Sequence, residues 1–263
     1  MSHPLMILSM TGLLMVWFSL TFLLCRRMNN YGIVDVVWSY AFTGVAWFYA
    51  FAGNGWSMRK LVLASLASAW SIRLGSHLYK RVMSHHPVED SRYQQLRIDW
   101  KDNFGTMMFG FFQLQALAVV VLSLPFLFPV HNAVTYFSHW EIVGTAICFL
   151  ALCGESVADG QLAAFRRKPA NKGQVCNVGL WHYSRHPNYF FEWCIWVGFG
   201  IFALGSVWGW IGLIAPASIY YLLRYKTGVP MAEESSLKSK GDLFREYQKT
   251  TNAFFPGTPR ASS

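Results

Sequence analysis

Residues 179–193, Gly-Leu-Trp-His-Tyr-Ser-Arg-His-Pro-Asn-Tyr-Phe-Phe-Glu-Trp, set two histidines, an arginine, an asparagine and a glutamate against a run of 31 uncharged residues that follows Glu192. Asn188 and Glu192 are four apart, the spacing that puts two side chains on one face of a helix, and Glu155 and Asp159 repeat it upstream. Basic residues surround these pairs at Arg166, Arg167, Lys168, Arg185 and Arg224. Carboxylate acceptors beside forked guanidinium donors suit a ligand with both phosphates and hydroxyl- or amide-bearing rings, as a nucleotide cofactor has. His182 and His186 share the four-residue spacing of metal ligands. No third ligand accompanies them, so hydrogen bonding is the better reading and no metal is expected. The letters Gly198-Phe199-Gly200 through Ala203 match a dinucleotide fingerprint but lie inside an apolar run with no strand before them, and carry no weight.

The elements that must hold these groups are apolar. The chain is 54% hydrophobic, 17% aromatic and 13% charged over 263 residues, too apolar for a soluble core wrapped in water. A helix needs about 20 apolar residues to cross a bilayer, and residues 5–25 form one uncharged run, read as a retained first span rather than a cleaved leader. The expected architecture is an all-α, polytopic membrane bundle forming a single integral membrane domain over 1–263. Its seven helices fall at roughly 4–25, 33–53, 60–80, 104–130, 140–165, 189–205 and 207–225. The last two come from one long run broken at 203–209, where glycines flank Ser206; left unbroken, they make six spans. Pro125 and Pro129 are points at which the fourth helix can end early.

Cytoplasmic loops carry the excess of Lys and Arg. Seven spans with the N-terminus outside and the C-terminus cytoplasmic put 19 of the 22 basic residues on the cytoplasmic face. Orientation alone explains such a cluster, so a single arginine in it is weak evidence of a site. Carboxylates inside helices are different: at membrane depth they cost several kcal/mol unless paired or facing a wet cavity. With this topology Asp35, Tyr79, Asp159, Glu192 and Arg224 share one cytoplasmic layer, which predicts a pocket open to the cytoplasm and closed outside. A carrier or receptor would need a polar track through the outer half, and none is visible. The formal charge of +9 is accounted for by the membrane, and no nucleic-acid module is present.

These residues carry a resemblance. Asp159, then Arg166-Arg167-Lys168-Pro169, Gly179-Leu180-Trp181, Ser184-Arg185-His186-Pro187-Asn188-Tyr189 and Glu192 follow the order seen in the steroid 5α-reductase superfamily. The chain is most similar to its bacterial branch. That branch also shows the patterns present here as Val34-Asp35-Val36-Val37-Trp38, Glu89-Asp90-Ser91-Arg92-Tyr93, Thr227-Gly228-Val229-Pro230 and the segment 247–256.

The resemblance implies a seven-helix membrane enzyme that uses NADPH to reduce the carbon–carbon double bond of an α,β-unsaturated ketone, typically a 4-ene-3-oxosteroid. Most of the cofactor site would fall in residues 150–260: Asp159, Arg167, Asn188, Glu192 and Arg224 would hold the dinucleotide, with Tyr183, Arg185, His186 and Tyr247 nearby. By the same resemblance an acid from the second helix and a tyrosine from the third act on the ketone oxygen, which names Asp35 and Tyr79, with His77 as a substitute for the tyrosine. The superfamily's steroid enzymes carry a Gln-Glu pair where Asp35 stands alone. The implied partners are a lipophilic enone or steroid reached through the bilayer and the surrounding lipids, with no nucleic acid and no obligate protein partner. The implied location is a bacterial inner membrane, or the endoplasmic reticulum in a eukaryote, with the cofactor side facing the cytoplasm. The rival is a membrane S-adenosylmethionine-dependent methyltransferase of the isoprenylcysteine carboxyl methyltransferase type. It shares an Arg-His-Pro-x-Tyr element and a later Glu-Glu pair, matched here by Arg185–Tyr189 and Glu233-Glu234. The Arg-Arg-Lys run favours NADPH, because S-adenosylmethionine has no phosphate to neutralise.

Overall fold

A computed structural model describes residues 1–260. Among them there is no strand; the α-helices are α1 (His3–Met28), α2 (Ile33–Ala52), α3 (Ser57–His85), α4 (Ser91–Asp99), α5 (Phe104–Leu122), α6 (Leu124–Leu127), α7 (His139–Arg167), α8 (Leu180–Tyr183), α9 (Pro187–Ala203), α10 (Ile214–Tyr221), α11 (Val229–Lys240) and α12 (Asp242–Thr250). Four of them, α1, α2, α5 and α7, are long and apolar enough to cross a membrane, the pattern of a multi-pass membrane protein.

Local chemistry sets the ends. Asn29 closes α1 in the left-handed conformation, and its amide bonds back to Arg26. Asp35 lies in the first turn of α2, where a negative charge faces the positive end of the helix dipole. In α7, Glu141 and the Arg166–Arg167 pair complement the two ends in the same way. The fourth expected span, 104–130, is shorter than its apolar run: α5 stops at Leu122, and Pro125, whose ring cannot continue the preceding helix, falls in the first turn of the four-residue α6. The break expected at 203–209 is present, with α9 ending at Ala203. A 3-10 segment at Gly209–Leu213 then leads into the eight-residue α10 and a π turn at Leu222–Lys226. The third helix, expected at 60–80, runs on to His85.

The chain forms two compact units, Met1–Ser138 with Ala203–Gly212, and His139–Phe202 with the residues from Leu213 onward. In the first, α2 and α3 pack antiparallel along a file of serines. Tyr40 Oη meets Ser76 Oγ at 3.0 Å, Thr43 Oγ1 donates to Ser71 Oγ at 2.9 Å and Trp47 Nε1 to Ser68 Oγ at 3.0 Å. Small residues let helices approach closely in an apolar medium, and Gly75 sits directly against the Tyr40 ring. The α1 helix packs on α5 and α2, and Phe42, Tyr49, Trp70 and Phe112 lie in the core. Buried Arg59 organises the loop after a 3-10 turn at Pro129–His131, donating to the carbonyls of Asn132 (2.6 Å), Val134 (2.8 Å) and Tyr136 (2.8 Å).

In the second unit α7 and α9 run antiparallel with glycine at the contacts. Gly144 abuts the backbone of Gly198 and Phe202, and Gly154 abuts the Phe191 ring. Between them Cys148 Sγ reaches the Ile195 carbonyl at 3.4 Å. The α11 and α12 helices pack together, and Phe244 and Tyr247 form the buried face of α12.

Candidate functional site

In the first unit the carboxylate of Asp35 is an acceptor on both oxygens. Tyr93 Oη donates to Oδ1 at 2.7 Å and Arg92 Nη2 to Oδ2 at 2.7 Å, with Arg81 Nη2 3.7 Å away. Arg92 also holds Asp90, the residue that caps α4 through the Arg92 amide. Burial works against the charge of Arg92, yet Asp35 and Asp90 raise its pKa overall; burial, then the neighbouring Asp35 charge, drives the Tyr93 phenol well above its ordinary value. The tyrosine bonded to Asp35 is therefore Tyr93 of α4. Tyr79, the expected partner, is 53% exposed on α3, and His77 beside it is exposed as well. A pattern confined to α3 could not show this, because α4 folds back to Asp35 from 58 residues away.

In the second unit the two four-residue pairs face each other across the α7–α9 contact. Asn188 Nδ2 donates to Asp159 Oδ1 at 3.4 Å. The antiparallel register set by Gly154 with Phe191 and by Cys148 with Ile195 puts Glu155 and Glu192 one helical turn further along their helices. Glu155 is 4% exposed, and Glu192 Oε1 accepts from Trp196 Nε1 at 3.0 Å. The oxygen of the same amide, Asn188 Oδ1, is buried with no hydrogen-bond partner in the protein.

The densest polar cluster lies at the start of α9. Arg185 Nε and Nη2 each lie 2.7 Å from Glu233 Oε1, His186 Nε2 is 3.3 Å from the same oxygen, and Gln248 Nε2 donates to Oε2 at 2.7 Å. Arg185 Nη1 also donates to the carbonyls of Gln248 and Thr251. Burial opposes ionisation of Glu233, but the hydrogen bonds from His186 and Arg185 and the Arg185 charge outweigh it and hold the carboxyl down at about 2. Burial lowers the His186 imidazole below its ordinary value, and the Glu233 bond only partly offsets this. Tyr247 Oη donates to the carbonyls of Trp181 and Ser184, so this hydroxyl is used in holding the fold. The segment after α12 is pinned here: Ser184 Oγ donates to the Phe254 carbonyl at 2.9 Å and the Arg185 amide to that of Asn252 at 2.8 Å.

Among the described residues, the remaining expected ones make no hydrogen bond or ion pair within these clusters, although the Arg224 charge reaches His186. Tyr183 is 47% exposed, Arg167 is exposed on the last turn of α7, and Arg224 lies over the Tyr225 ring at 5.3 Å. Glu233, at the centre of the densest cluster, was not among the expected site residues. Its signal was the Glu-Glu pair following an Arg-His-Pro element.

No solved structure matches this chain. A protein of Schizosaccharomyces pombe described as "Uncharacterized protein C594.04c" is 24% identical over 261 aligned residues, covering 87% of this chain and 73% of its own length. The family described as "Protein of unknown function (DUF1295)" matches residues 21–251, and the chain belongs to that family.

Proposed function

We propose that this protein is a seven-span membrane reductase of the steroid 5α-reductase type, N-terminus outside, with its cofactor side facing the cytoplasm. Its reaction is the NADPH-dependent reduction of the double bond of an α,β-unsaturated ketone, most simply a 4-ene-3-oxosteroid. The observation that carries the reading is the Asp159–Asn188 pair with its orphaned amide oxygen. A buried carbonyl oxygen without a donor costs about 1–3 kcal/mol, and a ligand amide or hydroxyl removes that cost. An acceptor carboxylate and an unfilled amide acceptor suit the ribose hydroxyls and carboxamide of a dinucleotide, so these acceptors fit NADPH.

In this reading Asp159, Asn188 and Glu192 hold the polar rings, and Arg167 and Arg224 face the phosphates. Arg185, tied to Glu233, acts by fixing the segment before α9 rather than by contact with phosphate. NADPH held there would supply the hydride for the β-carbon, with the proton for the α-carbon drawn from water. At the carbonyl end Asp35 remains our candidate, with Tyr93 as the hydroxyl it orients. A donor aimed at the ketone oxygen stabilises the charge that develops there by several kcal/mol.

One observation favours the second reading, the methyltransferase: Arg185, His186 and Glu233, the residues that match its shared element, come together in one cluster. The deciding experiment mixes detergent-purified protein with NADPH and testosterone or progesterone, and separately with labelled S-adenosylmethionine. Enone-dependent loss of NADPH absorbance with a dihydro product is the expected result. Methyl transfer without NADPH loss rejects the reductase.

A further inference from the structure

At the cytoplasm-facing end of α7 in the proposed orientation, a cavity of about 470 Å³ is lined by Arg166, Arg167, Lys168, Lys172 and Lys240, together with Phe165 and other non-acidic residues. That volume is in the range of about 300–1,000 Å³ that ligand pockets occupy, large enough for a charged group with a substituent attached. No carboxylate lines it, and among the described residues none of these five cations makes an ion pair. Elsewhere on the same unit exposed cations do find partners, Lys238 with Glu234, Arg245 with Asp242 and Lys249 with Glu246.

Helix electrostatics explains part of the cluster. Arg166 and Arg167 occupy the last turn of α7, where the helix dipole favours positive charge. It does not explain Lys168 and Lys172, which lie beyond the helix, or Lys240, which arrives from the end of α11. Half-buried Lys240 is brought close enough to Arg166 that burial, then the guanidinium charge, lowers its pKa. Convergent like charges from two elements are held together at a cost, which an anion of matching charge relieves.

We propose that this cavity is a phosphate-binding site, taking a phosphate mono- or diester through Arg166, Lys172 and Lys240. A tetrahedral group with several anionic oxygens can meet guanidinium and ammonium donors arriving from different directions, which a single carboxylate cannot. Two sources carry this chemistry at the end of a membrane span, a soluble phosphate ester and the headgroup of an anionic lipid. Asp159, Asn188, Glu192 and Arg185 do not line the cavity; Arg167, which the reductase reading turns toward the cofactor's phosphates, does, so the proposal is placed on Arg166, Lys172 and Lys240, and the D159N comparison below tells the two readings apart.

The test uses the full chain in detergent. Binding of labelled pyrophosphate is measured directly, and lipid capture is measured by native mass spectrometry after exposure to vesicles of phosphatidic acid or of phosphatidylcholine. The wild type is expected to bind pyrophosphate, phosphatidic acid or both, saturably and more weakly at high salt, and to ignore phosphatidylcholine. K172Q/K240Q is expected to bind roughly tenfold more weakly or worse. R166Q is a second variant in case the double one misfolds. Binding of pyrophosphate alone assigns the soluble ester, and capture of phosphatidic acid alone assigns the headgroup. Wild-type protein that takes neither probe, or folded variants that bind as well as wild type, overturn the proposal. NADPH titrated into D159N separates the two ideas: lost NADPH affinity with retained probe binding supports both, and unchanged NADPH affinity rejects the reductase site alone.

Discussion

Arg185 and Glu233, 48 residues apart in sequence, form an ion pair in which two guanidinium nitrogens converge on one carboxylate oxygen at 2.7 Å, with both side chains largely buried. The pair joins the segment before α9 to α11, and Gln248 extends the link to α12. Removing one partner of a buried pair leaves the other charged and dry, which costs about 3–5 kcal/mol. Glu233→Ala is expected to destabilise the C-terminal unit by about 3 kcal/mol. Thermal unfolding in detergent, followed by tryptophan fluorescence, checks this; an unchanged midpoint means the pair contributes nothing net.

The same cluster sets an acid sensitivity. The carboxyl of Glu233 is held at about 2 against an ordinary 4.5, so its stabilisation is complete above 4.5 and is lost as pH falls toward 2. Neutral His186 acts in the same direction: below 6.5 the unfolded chain takes up a proton that the folded chain resists, so stability again falls with pH. Unfolding midpoints measured between pH 7 and 3 should drop in two stages. Glu233→Gln should remove the lower stage and leave the upper; a wild-type profile flat from 7 to 4 contradicts the assignment to His186.

Asp35, Tyr93 and Tyr79 can be separated by substitution. Tyr93→Phe removes one 2.7 Å hydrogen bond and is expected to cost about 1 kcal/mol, whereas exposed Tyr79→Phe should change stability by less than about 0.5 kcal/mol. If the proposed reduction holds, Asp35→Asn abolishes turnover with NADPH affinity nearly intact, Tyr93→Phe lowers kcat, and Tyr79→Phe leaves it unchanged. Turnover lost in Tyr79→Phe but retained in Tyr93→Phe restores Tyr79 as the working tyrosine.

Helix content was legible because apolar runs of span length can satisfy their backbone only as helices in lipid, so α1, α2 and α7 appear close to where the runs lie. The turn after Ala203 and the early stop at Leu122 were readable from glycine and proline. Asp159 and Asn188 were each legible as members of four-residue pairs, but their contact across α7 and α9 shows only in the fold. Contacts carried by the short polar helices were not legible. Neither Tyr93 on α4 nor Glu233 on α11 has a periodic signal pointing to its partner, since each contact depends on how a short helix folds back across 58 or 47 and 48 residues. Tyr247 was expected beside the cofactor, and its two carbonyl partners show its hydroxyl spent on the fold instead.

Arg59 offers a test of the loop at 132–136 in the first unit. Its guanidinium gathers the carbonyls of Asn132, Val134 and Tyr136, and no other side chain presents several donors in one plane. Arg59→Lys keeps the charge but cannot reach all three, and Arg59→Met keeps the length and loses every bond. Losses of about 1–2 kcal/mol for lysine and about 3 kcal/mol or more for methionine are expected. Hydrogen exchange should rise at residues 132–136 in both variants, and uniform exchange across the unit would mean that Arg59 supports the whole unit rather than this loop.

The α7–α9 contact that sets Asp159 against Asn188 depends on glycine. A Cβ on Gly198 would lie 2.6 Å from Cys148 Sγ and 2.9 Å from backbone on α7, and one on Gly144 would lie 2.5 Å from the Phe202 amide. Backbone cannot yield as a flexible side chain does, so a branched residue must push the helices apart, at a cost of about 1–3 kcal/mol. The separation also has a local consequence: Asp159 and Asn188 are only just within bonding range at 3.4 Å, and a small outward shift breaks their contact. Gly198→Val should therefore reduce ligand affinity at this pair more than it reduces stability, whereas Gly12→Val, on α1 with open space around it, should change neither. NADPH titrations and thermal midpoints on the two variants decide the matter. Equal, wild-type affinity in both would show that the close approach of α7 and α9 does not position the pair.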